Sequence, residues 1–164
     1  RCRLGSLWHS GSKVLTANAG GAGIIEDIRF LNCDFTVFTG QSGQGAPHVW
    51  ENLLPRGVIK GILLEGGSTR VVLPPGGQVH DTPFRIKNVD GVVIHSHDVE
   101  RFSRRLIGAQ NVSGRVVEGL RNRLIGPVPK PSAAVPLIAL RNCPDAKIDQ
   151  RLMGTGYLGQ KLVA

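Results

Sequence analysis

The sequence predicts an all-β fold, namely a right-handed parallel β-helix (a solenoid) of about six rungs with irregular loops and little or no helix. Two observations lead to this prediction. First, a short motif recurs in which an asparagine precedes a small apolar residue and a run of β-forming residues. Second, the apolar segments are short, rich in Val, Ile and Leu, and bounded by Gly, Asn, Asp or Pro.

The asparagine motif sets the repeat. Asn88 and Asn111 are 23 residues apart, and Asn142 follows 31 residues later. The longer step from Asn32 to Asn88 divides into 33 and 23 if Glu65 has the same phase. Asparagine tolerates left-handed backbone, and its amide both donates and accepts, so we expect it at structural corners, bonded to its equivalent in the next rung. The predicted phases are His9, Asn32, Glu65, Asn88, Asn111 and Asn142.

The strands follow from the apolar runs. In chain order, they are predicted around Ile24–Phe30, Phe35–Phe38, Val58–Leu64, Val92–Ile94, Val116–Val117 and Ala146–Ile148. Polar or proline-rich loops are expected at 40–48 and 127–136. One helix competes, at Asp98–Leu106, with an Asp cap and helical apolar spacing, but the repeat favours a strand at 104–107.

Length and composition indicate one globular domain, with 41% hydrophobic residues and no membrane-spanning run, so the β-helix predicted from the repeat is expected to form a single domain over residues 1–164. The chain opens on Arg1, so we expect it to belong to a longer polypeptide or to be processed. Cys33 and Cys143 share a phase but would lie about 19 Å apart along the strand-stacking direction. We therefore interpret both as buried small apolar residues, without a disulfide between them.

Positive charge is concentrated in one segment. The net charge is +8, and one stretch carries six arginines against a single glutamate. Arginine favours bidentate pairing with carboxylate, phosphate or sulfate, so a binding role on this basic face competes with a simple solvated surface. Nucleic acid is a poor fit because aromatic residues make up only 5% of the chain. The basic face comprises Arg101, Arg104, Arg105, Arg115, Arg121 and Arg123.

From about Leu4 to Leu162, this rung pattern resembles the pectin-lyase-like superfamily of right-handed parallel β-helices. A β-sandwich or barrel with coincidental spacing is the alternative. Viral members of that superfamily are commonly trimeric, so the resemblance implies a homotrimer among other virion subunits. No membrane insertion is expected, because no apolar run is long enough to span a bilayer.

Catalytic signatures of the superfamily are mostly missing. Arg85-Ile86-Lys87 matches the tripeptide of the polygalacturonase-like hydrolases, but the paired carboxylates of that family are absent. The scattered acidic residues also make a poor calcium cage. We therefore expect no catalytic residue and no cofactor, with Arg85 and Lys87 pointing outward from a strand.

His95-Ser96-His97-Asp98 is the most reactive-looking cluster. On a continuous strand His95 and His97 would face the same way and could bind a transition metal, but two histidines at this spacing are a weak signal, and a surface pair without metal is favoured. Any glycan or metal site is expected around Arg85, Lys87, His95, His97 and Asp98, near the basic face.

Three functions follow. The first is a non-enzymatic component of a phage or phage-like particle, such as a β-helical spike, fibre or decoration protein, located in the virion. It would act by rigid shape and by binding a neighbouring subunit or an anionic host glycan. The alternatives are a polysaccharide lyase or hydrolase acting on acidic glycans, and a secreted adhesin segment.

Overall fold

The computed structural model describes residues 2–6, 12–16, 23–38, 46–54, 56–72, 82–100, 106–113 and 138–147. These residues form eleven strands and no helix, and every pairing between the strands is parallel. The predicted all-β class is confirmed. The strands are β1 Cys2–Ser6, β2 Ser12–Thr16, β3 Ile24–Leu31, β4 Cys33–Phe38, β5 His48–Asn52, β6 Val58–Glu65, β7 Ser68–Val72, β8 Phe84–His95, β9 Asp98–Glu100, β10 Ile107–Ser113 and β11 Ile138–Arg141.

The strands pair in three series that follow chain order. The first series is β1-β4-β7-β9, the second is β2-β5-β8-β10-β11, and the third is β3-β6-β8. The chain returns to the second series after 36 residues, from Ser12 to His48, and later after 23, from Phe84 to Ile107. Strand β8 belongs to two series because it bends, with positive φ at Asn88 (53°) and Gly91 (71°).

Left-handed residues align across neighbouring strands. Asp27, Gly61 and Gly91 occupy equivalent positions one residue after the paired Glu26, Lys60 and Asp90, and all three have positive φ. A left-handed residue turns the chain sharply, which only Gly, Asn and Asp tolerate readily. The same bend is thus repeated in successive strands.

The asparagines divide between two such alignments, which corrects the predicted single phase. Asn88, Asn111 and Asn142 align with one another, whereas Asn32 precedes β4 and aligns with Gly66 and Ser96. Glu65 pairs with Leu31, one residue out of the predicted phase. The physical reason is that several bends need left-handed backbone, so spacing alone does not identify which bend an asparagine occupies.

Inward side chains of the second series form one row through the core. Val14, Trp50, Ile86, Ala109 and Leu140 lie in register and are all buried. Large apolar side chains buried in this way each stabilise the fold by roughly 1.5–3 kcal/mol. The row accounts for the alternating burial at the start of β8 and along β10 and β11, since every second residue enters the core, whereas all five residues of β5 are buried.

The third series adds a second row. Phe30, Leu64 and Ile94 are in register, and the last two are fully buried, whereas Phe30 on β3 is only partly covered. Strand β3 ends its series and pairs only with β6 among the described strands.

The competing helix at Asp98 is absent, because Asp98–Glu100 pairs as a strand with β7. Residues 101–105 lie outside the described part of the chain. The described residues contain no helix that could cross a membrane.

The surroundings of Cys33 and Cys143 differ. Cys33 is buried, as expected, whereas Cys143 is half-buried and packs against the core, so the expectation of full burial is met by Cys33 alone. The reason is that Cys143 follows β11, the last described strand of the second series. Each thiol points to the carbonyl two residues earlier, of Leu31 at 3.5 Å and Arg141 at 3.4 Å.

Candidate binding groove

A surface groove crosses the outer face of the second series and has a volume of about 460 Å³. Because side chains alternate along a strand, the residues on either side of the buried row point outward. One outward row is Arg85, Gly108 and Ala139. Because Gly108 and Ala139 are small, they leave space above β10 and β11, and these two strands form the floor of the groove.

The second outward row supplies polar groups. Lys87, Gln110 and Arg141 lie in register on β8, β10 and β11. Adjacent strands are about 4.8 Å apart, so the backbones of Lys87 and Arg141 are separated by about 10 Å. The row therefore presents two cations, with an amide between them, along one line.

Glu51 closes one end of the groove and orients Arg85. The Arg85 Nε lies 2.6 Å from Glu51 Oε1, and Nη2 lies 3.3 Å from Oε2. The Glu51 side chain is only 12% exposed and that of Arg85 is 54% exposed. This bidentate geometry fixes the guanidinium better than a single contact would. Three cations and one carboxylate line the groove, which gives it a net charge of +2.

The groove fits the binding of anions better than acid–base cleavage. Hydrolysis of a glycosidic bond ordinarily uses two carboxyl groups about 5–9.5 Å apart. Among the residues that line the groove, Glu51 is the one carboxylate, and it is engaged by Arg85. Lys87 and Arg141 can donate to a carboxylate or sulfate, and Gln110 can donate or accept.

The structure separates the predicted site residues. Arg85 and Lys87 line the groove, whereas His95, His97 and Asp98 do not. Within the described ranges, no group of three or more His, Cys, Asp or Glu is placed to hold a metal ion. All six arginines of the predicted basic face lie outside the described residues: Arg101, Arg104, Arg105, Arg115, Arg121 and Arg123.

His95 and His97 do not share a face, which corrects the sequence-based expectation. Ser96 between them has φ of 52°, so the alternation of a continuous strand is broken there. His95 lies at the surface, with Nδ1 3.6 Å from Glu65 Oε1, whereas His97 is completely buried. The two imidazoles therefore cannot chelate one surface metal.

His97 belongs instead to a buried chain of hydrogen bonds that was not predicted. The hydroxyl of Thr69 lies 2.7 Å from His97 Nε2 and 2.6 Å from His48 Nε2. Further contacts extend the chain at both ends, through 2.7, 2.9 and 2.7 Å bonds. In order, the groups are Trp50 Nε1, Ser12 Oγ, His48, Thr69 Oγ1, His97 and the Gly66 carbonyl.

The two ends of this chain determine the positions of its protons. The Trp50 indole can only donate, and the Gly66 carbonyl can only accept. His97 must therefore carry its proton on Nδ1 and accept from Thr69 through Nε2. Thr69 in turn accepts from His48 Nε2–H, and His48 Nδ1 accepts from Ser12. Every group is satisfied when both imidazoles are neutral.

Burial favours that neutral state. Loss of hydration, aided by the nearby His97, lowers the pKa of His48 well below its ordinary value of 6.5. Burial also lowers the pKa of His97, although the bond to the Gly66 carbonyl and the charges of Asp98 and Asp34 oppose it. The arrangement is a structural polar core.

Aromatic rings pack around the imidazoles. The His48 ring stacks on Phe84 with centroids 4.6 Å apart and planes 11° from parallel. Phe35 meets the same ring edge-on, at 4.9 Å. In the sequence His48 follows a polar loop, and Ser12 and Thr69 are ordinary strand residues, so no local pattern indicated their contact.

No family model, curated protein or solved structure matches the chain significantly.

Proposed function

We propose that this chain is a right-handed parallel β-helix of about six rungs that serves as a non-enzymatic structural component of a phage or phage-like particle. A spike, fibre or decoration protein acts by rigid shape and by surface contacts. The observation that favours this role is the parallel, in-register pairing of all three strand series in chain order. Such a scaffold holds outward side chains at fixed spacing, as a rigid binding surface requires.

The groove on the second series is the proposed contact surface, and its proposed ligand is an acidic glycan. Carboxylate or sulfate groups along such a glycan would be bound by Lys87 and Arg141, which are aligned across three strands. The paired Glu51 and Arg85 would close the end of the groove.

Binding to acidic and neutral oligosaccharides of equal length tests this proposal by calorimetry. We expect the acidic ligand alone to bind, and its affinity to fall with salt. Lys87→Ala and Arg141→Ala should each weaken binding about tenfold, the loss of one charge-assisted hydrogen bond. The matched control is Lys60→Ala, because Lys60 is exposed on β6 and does not line the groove. Equal binding by Lys87→Ala and the control would contradict the proposal.

Polysaccharide cleavage is the second candidate, because the groove contains one shielded carboxylate beside three cations. Release of unsaturated or reducing sugar ends from acidic glycans would support it, and loss of that activity in Glu51→Gln would assign the residue. Binding without such products would leave the non-enzymatic role. The third candidate, a secreted adhesin segment, would place the same groove outside the cell rather than on a virion.

Three copies of the chain are proposed to form the working particle component. A mass of three chains in analytical ultracentrifugation would support this assembly. A mass that is not a multiple of three chains would contradict it.

A further inference from the structure

Positive charge in the groove is confined to its two ends. Strand β8 contributes Arg85 and Lys87, and β11 contributes Arg141. Strand β10 lies between them, and its outward residues in the groove, Gly108 and Gln110, are both uncharged. An acidic ligand laid across the three strands therefore meets a cation at each end and an uncharged strip in the middle.

The uncharged strip offers space and one polar group. Gly108 and Gln110 are two residues apart on β10 and face the same way. Gly108 has no side chain, so a ligand can approach the strand closely there. Among the described residues, no side chain is hydrogen-bonded to the Gln110 amide. An amide both donates and accepts, as do a sugar hydroxyl and an N-acetyl group, so Gln110 is suited to an uncharged sugar.

The spacing of the three strands matches the repeat of an extended glycan. The backbones of Lys87 and Arg141 are about 10 Å apart, which is twice the strand spacing. Each sugar of an extended glycan advances its chain by about one strand spacing. When the first sugar faces Lys87, the second faces Gln110 and the third faces Arg141. A carboxylate on the second sugar would lose hydration beside an amide, with no cation of β10 to compensate.

We propose that Gln110 determines specificity in this groove, by selecting glycans in which acidic sugars alternate with neutral N-acetylated sugars. The N-acetyl group lies over Gly108 and hydrogen-bonds to the Gln110 amide, while Lys87 and Arg141 bind the carboxylates on either side. This inference rests on the proposed glycan-binding function and specifies the class of ligand for the same site.

Calorimetry with two acidic hexasaccharides tests the selection. One alternates glucuronic acid with N-acetylglucosamine, and the other contains galacturonic acid alone. The alternating ligand should bind about tenfold more tightly, since one unsatisfied carboxylate costs at least that much. It has half as many carboxylates, so non-specific attraction to this basic chain would give the opposite order. Equal affinities, or tighter binding of the galacturonic acid ligand, would overturn the proposal.

A cation introduced on β10 tests the role of Gln110 directly. Gln110→Lys places a positive charge opposite the second sugar, so affinity for the galacturonic acid hexasaccharide should rise about tenfold and the preference should disappear. The matched control is Val58→Lys, because Val58 is 41% exposed on β6 and does not line the groove. This variant adds the same charge elsewhere and should keep the preference. The same ratio of affinities in both variants would contradict the role of Gln110.

Failure of this inference is distinguishable from failure of the proposed function. If neither hexasaccharide binds the unaltered chain, glycan binding by the groove is wrong, and the role of Gln110 is wrong with it. If both ligands bind and Lys87→Ala weakens both, but Gln110→Lys leaves their ratio unchanged, only the role of Gln110 is wrong. Circular dichroism checks that each variant is folded.

Discussion

His48 and His97 hold the same hydroxyl group from opposite sides, with their Nε2 atoms 2.6 and 2.7 Å from Thr69 Oγ1. A hydroxyl has one proton, so it donates to one imidazole and accepts from the other. The arrangement links two strand series through the core, because Thr69 lies on β7 and His48 on β5. The stability of the fold therefore depends on the protonation state of each imidazole.

Replacing the shared hydroxyl should expose its contribution. Thr69→Val keeps the shape but leaves a donor on His48 and an acceptor on His97 without partners. We expect a loss of about 2–4 kcal/mol in the free energy of unfolding, since each unsatisfied buried group costs about 1–3 kcal/mol. Urea denaturation measures the loss. Thr69→Ser, which retains the hydroxyl, should cost less than Thr69→Val, and the reverse order would contradict the assigned hydrogen bonds.

Acidification should destabilise the fold through the same residues. The pKa values of His48 and His97 are lowered in the folded state, so below pH 6.5 the unfolded chain binds more protons. Their stabilising contribution is present above pH 6.5 and is lost as pH falls below it, by up to about 1.4 kcal/mol per pH unit for each group. Asp34 and Asp98 near His97 moderate its share.

Urea midpoints measured between pH 8 and pH 5 test this dependence. A control variant, His95→Gln, removes a surface imidazole and should retain the steep acid loss. His48→Gln should reduce the slope, although its overall stability falls. If the loss of stability in acid were unchanged in His48→Gln but abolished in His95→Gln, it would arise from His95, and its assignment to His48 would be wrong.

The asparagine alignment supports a third prediction. Asn111 donates to Asn88 Oδ1 at 2.8 Å and accepts from Asn142 Nδ2 at 3.0 Å, and its own φ is 52°. Asn111→Gly should lose the hydrogen bonds but keep the backbone, at a cost of about 1 kcal/mol. Asn111→Ala should cost about 1–2 kcal/mol more, because alanine disfavours left-handed backbone. Thermal or urea denaturation of both variants separates these effects, and equal stabilities would refute backbone strain at this position.

Part of this architecture was predictable from sequence because bends repeat more regularly than loops do. The 23-residue step from Asn88 to Asn111 identified two adjacent, equivalent strands, and the predicted bond between their amides is present. Asn32 was misplaced because it occupies a different bend with the same backbone requirement. Local residue chemistry indicates that a bend exists, but pairing across the fold determines which bend it joins.

The candidate sites were less predictable for the same reason. Arg85 and Lys87 were assigned to an outward face by strand alternation, but Glu51 and Arg141 join them only through register. His48 and Thr69 are 21 residues apart and carry no local signal of their contact. The left-handed residue Ser96 breaks the alternation before His97, so the His97 side chain points into the core and does not share a face with His95.

The last prediction concerns Gly67, which follows the Gly66 carbonyl at the end of the buried chain of hydrogen bonds. Gly67 has φ of 73°, and an added Cβ would collide with the backbone of Cys33 on the neighbouring strand. Gly67→Ala should therefore cost about 3 kcal/mol or more, since neither backbone can move without breaking the β4–β7 pairing. Gly23→Ala is the control, because no atom lies within 4 Å of its added Cβ and its stability should change little. If urea denaturation gave similar losses in the free energy of unfolding for both variants, Gly67 would not approach the Cys33 backbone as closely as described.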